Sequence, residues 1–337
     1  MEFLRRRLGL IFRAVVSILA VWYVVHVNDW RLVWGHVQAM DYRWLLAGCI
    51  CFTPTLLIVS WRWRLLLGVH GVHMRFWRVF ELTMIGQFFS TVGVGTTGGD
   101  VFKIFYVTRA VQERKTAVAF TVIVDRIIGM LALLLFGVVL SFSKLSLLFS
   151  TANTRAATIT FYFLAVAGAV GAVLATLGPY FLKHPLFISL ARKLPMAHRG
   201  KKLFAAYETT VRALGTNLLA LLASIPSHMS ITLLGYCIVQ AMGLQLDIIG
   251  FCSVLAIVNM LIALPVSISG IGVRETLFTI FFGLFHIPGD KAVTFSLTYF
   301  ALNILWSLAG GPFYFLYRHE THTPPPNVDE VEPIFEQ

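Results

Sequence analysis

VLAIVNMLIALPVSISGIGVRETLFTIFFGLF, residues Val254 to Phe285, is apolar at both ends, while its middle holds Pro265, Ser267, Ser269, Gly270, Gly272, Arg274 and Glu275. An apolar segment that breaks on proline, serine and glycine and restarts with two opposite charges reads as two half-helices meeting inside a membrane. Broken backbone and charge at that depth are tolerated only where they face protein or a wet cavity. The stretch is therefore the expected functional centre, and the remainder of the chain is expected to build a cavity around it.

The surrounding composition fits that reading. Hydrophobic residues make up 58% of the 337 and charged residues 13%, and the mean hydropathy is +0.79, which excludes an ordinary soluble globular chain. Crossing about 30 Å of hydrocarbon takes roughly 20 apolar residues. Windows of that kind fall at 8–27, 44–61, 116–142, 157–182, 216–239 and 292–316. The first follows Arg5, Arg6 and Arg7 and reads as a retained signal-anchor. A second interrupted stretch, about 79–109, carries Ser90, Thr91, Gly93, Gly95, Thr96, Thr97, Gly98 and Gly99 ahead of Asp100 and Lys103. The four cysteines, Cys49, Cys51, Cys237 and Cys252, lie in apolar segments without metal-ligand spacing and read as small packing residues.

Short basic loops stay cytoplasmic. Of the 27 Lys and Arg, only Arg31, Arg43, Lys144, Arg155 and Lys291 fall on the opposite side, and Arg126 and Arg274 fall in the membrane. The expected protein is an all-α, multi-pass protein of the cell (inner) membrane with both termini cytoplasmic. It has six transmembrane helices plus two broken re-entrant helical hairpins. Residues 1–156, with a re-entrant segment at about 79–109, and 157–318, with one at about 249–287, form an inverted-topology repeat, the plan of many secondary transporters. Residues 319–337, proline-rich and acidic, are expected to be disordered. The net charge of +11 suits an anionic membrane surface and not nucleic acid.

The candidate substrate-binding residues are Arg274, Glu275, Ser269, Gly270 and Gly272 of the second broken segment, Gly98, Gly99, Asp100 and Lys103 of the first, and Asp125 and Arg126. Glycines at a half-helix start leave N–H groups that attract anions. Asp125 and Arg126 interrupt the third span about 15 Å deep and must face inward. Neighbouring helix positions do not face one another, so Asp125 is expected to pair with Arg274, and Arg126 with Glu275 or Asp100. His228, Gln87, Asn259 and Asn303 read as interhelical hydrogen-bonding residues. Gly168, Ala169, Gly171 and Ala172 read as a close-packing stripe. The run SWRWR, Ser60 to Arg64, reads as an interfacial belt, or as a first contact for an anionic headgroup.

Four segments carry a family resemblance: LPVSISGIGVRE (Leu264 to Glu275), GGDVFKIFYVTR (Gly98 to Arg109), VDRIIG (Val124 to Gly129) and WRWRLLL (Trp61 to Leu67). Together they resemble the flippase-like transmembrane family typified by the membrane half of lysylphosphatidylglycerol synthases. Members often carry a second acid where this chain has Gly129. The resemblance implies movement of an anionic or modified (glyco)phospholipid between leaflets, with membrane phospholipids as partners. The alternative it leaves is a membrane-embedded enzyme, or an accessory subunit, of lipid or lipid-linked glycan synthesis. A homo-oligomer or a partner enzyme fits either reading. No catalytic residue, metal or cofactor is expected, and lipid aminoacylation by the chain alone is not.

Overall fold

A computed structural model describes residues 30–92, 98–110, 114–182, 197–264 and 270–321, with Trp22 and His26. Every element of regular structure among them is helical: α1 (Trp30–Gln38), α2 (Tyr42–Val69), α3 (Phe76–Val92), α4 (Gly98–Ala110), α5 (Lys115–Phe142), α6 (Leu145–Leu148), α7 (Ala152–Leu182), α8 (Ala197–Arg212), α9 (Leu214–Ala241), α10 (Ile248–Ala263), α11 (Val273–Phe282), α12 (Gly289–Leu308) and α13 (Gly310–Thr321).

Five stretches are long and apolar enough to span a membrane: Tyr42–Val69, Lys115–Phe142, Ala152–Pro179, Leu214–Ala241 and Gly289–Tyr317. They match five of the six windows expected from hydropathy. The sixth, 8–27, lies outside the described residues apart from Trp22 and His26, as does most of the acidic tail. The protein is a polytopic integral membrane protein. Its helices present Ile159, Phe163, Val166, Val173 and Leu174 outward, a surface suited to lipid and not to water.

The two interrupted stretches form shorter helices. α3 and α4, with 17 and 13 residues, reach about 26 and 20 Å. α10 and α11, with 16 and 10, reach about 24 and 15 Å. None matches the hydrocarbon thickness alone.

The chain forms two compact units. The first comprises Met1–Thr53, Leu133–Ala165 and His228–Leu305. Its centre is aromatic: the Phe278 ring lies 5.0 Å from Phe295 and 5.7 Å from Phe282, with Phe251 and Tyr299 around them. α10 is apolar on every face and correspondingly buried from Gly250 to Met260 on nearly all sides. Its N-terminus is capped by Asp247, which accepts from Gly250 N at 2.7 Å and pairs with Lys144 at 2.9 Å. α1 rests Val33 against Val293 and Leu297 while Trp30, Leu32 and Trp34 stay exposed, the pattern of an interfacial helix.

The second unit comprises Pro54–Ala132, Val166–Ser227 and Trp306–Gln337. Here α3 and α4 lie against each other so closely that a Cβ on Gly99 would stand 2.0 Å from the Gly86 carbonyl oxygen. Phe89 and Phe102 stack across the same contact at 3.6 Å. α13 packs on α3, with Gly310 against the Met84 carbonyl. Within the Gly168 to Ala172 stripe, Gly171 meets no packing partner: nothing comes within 4 Å of a Cβ built on it.

His70 closes this unit beyond the end of α2. Its carbonyl accepts from Arg114 Nη1 at 2.5 Å and its Nε2 meets Thr210 Oγ1 of α8 at 2.9 Å. Burial, with the Arg114 charge beside it, holds the His70 pKa below its ordinary value. The unfolded chain therefore binds the proton more readily, so stability falls as pH drops from about 6.5 through the lower folded-state value. Thermal melts between pH 7.5 and 5 are expected to show that loss, and His70→Gln should flatten it.

Candidate functional site

The acid-arginine segment of α5 and the Arg-Trp segment of α2 meet inside the second unit. Arg62 forks onto Asp125, with Nε to Oδ1 at 2.7 Å and Nη2 to Oδ2 at 3.0 Å, and its Nη1 donates to Ser224 Oγ of α9 at 2.7 Å. Both charged residues are buried, 5% and 7% exposed. Bidentate guanidinium–carboxylate geometry is among the strongest polar contacts available at such depth. Gly129, one turn beyond Asp125, gives the fork its room, since a Cβ there would lie 3.1 Å from Arg62 Nη1.

Asp125 is therefore held by Arg62, which corrects the expected pairing with Arg274. Arg126 pairs through Nε with Asp100 of α4, one of its two expected partners. Lys103, one turn along α4 from Asp100, lies within electrostatic reach of Asp100, Asp125, Arg62 and Arg126. Its ammonium stands 5.3 Å from the Trp63 ring centroid. Trp63 is itself fixed by Nε1 donating to Thr121 Oγ1 at 3.2 Å. Gly99 and Asp100 open α4, where the helix dipole favours negative charge.

Three cations, Arg62, Lys103 and Arg126, thus share a cluster with two carboxylates, Asp100 and Asp125. By formal charge, one positive charge is left over among the described residues. The chain belongs to the lysylphosphatidylglycerol synthase transmembrane-region family. The match to the family described as "Lysylphosphatidylglycerol synthase TM region" runs over residues 10–311, so membership covers nearly the whole chain and its function concerns membrane lipids. No curated protein and no solved structure matches it.

In this family member, the GIGVRE segment sits in the first unit and is internally paired. Gly270 and Gly272 adopt φ of 75° and 83°, which only glycine takes without strain. They let the chain turn into α11. Glu275 then reaches back to accept from Gly272 N at 2.6 Å, satisfying a helix-start donor. The same carboxylate accepts from Arg274 Nε at 3.0 Å and from Ser296 Oγ of α12 at 3.0 Å, and Arg274 also donates to Ser296 Oγ at 2.9 Å. The guanidinium lies 4.1 Å from the Phe300 ring centroid. Arg274 and Glu275 are 5% and 3% exposed. Ser269, like Gly93 to Thr97, lies outside the described residues.

The structure therefore brings Asp100, Lys103, Asp125 and Arg126 together with Gly98 and Gly99 on the same helix start, and holds Arg274, Glu275, Gly270 and Gly272 in a cluster of their own. Arg62, Ser224, Ser296 and Phe300 were missing from the sequence-derived site. A signal for Arg62 did exist: positions 62 and 64 are about 200° apart on a helix, so one of the two must point inward. Among the polar helix residues, Asn259 donates to Tyr299 Oη at 3.2 Å and Gln87 to Ser307 Oγ at 3.3 Å, joining helices as expected. Asn303 donates to the Tyr299 carbonyl of its own helix. His228 stacks beside Phe136.

Proposed function

We propose that the protein moves an anionic or modified (glyco)phospholipid between leaflets, its headgroup taken by the cluster of Asp100, Lys103, Asp125 and Arg126. The observation that carries this reading is the unmatched positive charge: an excess cation at membrane depth is costly unless an anion joins it. Lys103 is the fitting contact, because Arg62 is already committed to Asp125 and Ser224, and Arg126 to Asp100. The N–H groups at Gly98 and Gly99 add donors for a phosphate.

In this reading each compact unit contributes one re-entrant hairpin, α3–α4 or α10–α11, in a six-span inverted repeat with both termini in the cytoplasm of the cell membrane. The short arms and the glycine-rich breaks support it. Arg274 and Glu275 serve as the clamp that positions the second tip, with Gly270 and Gly272 as its turn. The lipid's charge, and not its size, is what the cluster selects.

The test is leaflet exchange of labelled phosphatidylglycerol and phosphatidylcholine in liposomes. Wild type is expected to exchange the anionic lipid, and Lys103→Gln to slow it at least about tenfold, the effect of losing one charge-assisted contact. Equal exchange in wild type, Lys103→Gln and empty vesicles would sink the translocase reading. Chemical conversion of the lipid would make the protein an enzyme instead.

A further inference from the structure

A second feature of the second unit has no part in the buried cluster. An open recess of about 410 Å³ is lined by Leu57, Ile58 and Trp61 of α2, Phe76 of α3, and Ala223 and Pro226 of α9. All six are apolar, and α2 and α9 are spanning helices, so the groove faces acyl chains.

Its rim is cationic. Leu57, Trp61 and Arg64 recur at helical spacing along one face of α2, which places Arg64 at the end of the groove. Arg64 Nε donates to the Met74 carbonyl at 3.0 Å, next to Arg75, and Arg75 precedes the groove-lining Phe76. Both guanidinium groups are exposed, and no carboxylate engages either among the described residues. Arg78, by contrast, is taken up by Glu81 and the Tyr317 ring. The N-terminus of α3 begins at the same place, with Trp77 67% exposed beside it. Exposed tryptophan next to arginine is the composition of a headgroup-level belt.

We propose that this groove is a binding site for one anionic phospholipid, with an acyl chain along Leu57, Trp61 and Pro226 and its phosphate on Arg64 and Arg75. The chemistry is complementary at both ends. An open apolar recess takes hydrocarbon, while two guanidinium groups that no carboxylate engages among the described residues take a phosphodiester in fork geometry. The site stands whether or not the protein moves lipid, because none of its residues belongs to the buried cluster.

Native mass spectrometry of the full chain, incubated in detergent with phosphatidylglycerol or phosphatidylcholine of identical acyl chains, tests it. Phosphatidylglycerol should be retained at the groove in preference to phosphatidylcholine, one molecule per chain beyond the one taken by the buried cluster. Arg64→Gln/Arg75→Gln is expected to weaken that retention roughly 30-fold, from two surface cations. Ala223→Phe, which fills the groove floor without touching the arginines, should weaken it independently. Lys103→Gln, which removes the contact proposed for the buried cluster, should still retain one phosphatidylglycerol through the groove. Equal retention of the two lipids by wild type, unchanged phosphatidylglycerol retention in both groove variants, or complete loss of phosphatidylglycerol on Lys103→Gln would each overturn the assignment.

Discussion

Asp125→Ala is expected to destabilise the protein by about 3–5 kcal/mol, the range for stripping one partner from a buried ion pair. Arg62 would keep its hydrogen bond to Ser224 but lose both carboxylate contacts, at a position 5% exposed. Among the described residues nothing nearby replaces them: Asp100 is engaged by Arg126, and the position one turn along α5 is Gly129. The double variant Arg62→Met/Asp125→Leu removes both charges together and should recover most of the loss, since apolar residues of similar volume substitute well for buried pairs. Denaturant or thermal unfolding in detergent measures both. A single variant as stable as wild type would mean that the pair carries little of the fold, and a double variant no better than the single would mean that packing, not charge, had been lost.

Gly99→Ala should be comparably damaging through sterics alone. The added methyl would stand 2.0 Å from the Gly86 carbonyl oxygen and 3.2 Å from Ser90 Cβ, and the first of these obstacles is backbone. No rotamer change relieves it, so α3 and α4 must separate, opening the Phe89–Phe102 stack and shifting Asp100 and Lys103. The expected cost is about 3 kcal/mol, the upper part of the range for overpacking, together with loss of lipid exchange. Gly171→Ala, where space is open, is the matched control and should be neutral within about 0.5 kcal/mol. Equal melting temperatures for the two variants would contradict the close approach.

The spanning helices were legible in the sequence because their signal is local: five apolar windows coincide with five long helices. The pairing of charges was not, for two reasons visible in particular residues. Arg62 shares the SWRWR run with Arg64, and an aromatic-basic run reads as one interfacial belt until the helical period separates an inward guanidinium from an outward one. Arg274 and Glu275 are adjacent, and neighbours do not pair along a helix interior. In a first turn, however, Glu275 bends back to the helix start and thereby comes beside Arg274. Depth and sign alone left Arg126 two partners, Glu275 and Asp100, and the structure selects Asp100. Gly129, which reads from the family resemblance as a missing acid, proves to be the space that the Arg62 fork occupies.

The two buried ion pairs differ in how far apart their members lie along the chain, and this bears on the order in which the protein is made. Arg274 meets its carboxylate one residue later, so this segment reaches the insertion machinery already carrying its counterion, and the roughly 2.5–3.5 kcal/mol opposing each bare charge at a helix centre is offset within a single turn. Arg62 waits 63 residues for Asp125 and 162 for Ser224. During synthesis α2 must hold its arginine near the membrane surface until α5, and then α9, arrives. A nascent chain stopped before Asp125 should therefore leave α2 incompletely seated, whereas one stopped shortly after Glu275 already carries the carboxylate that pairs with Arg274.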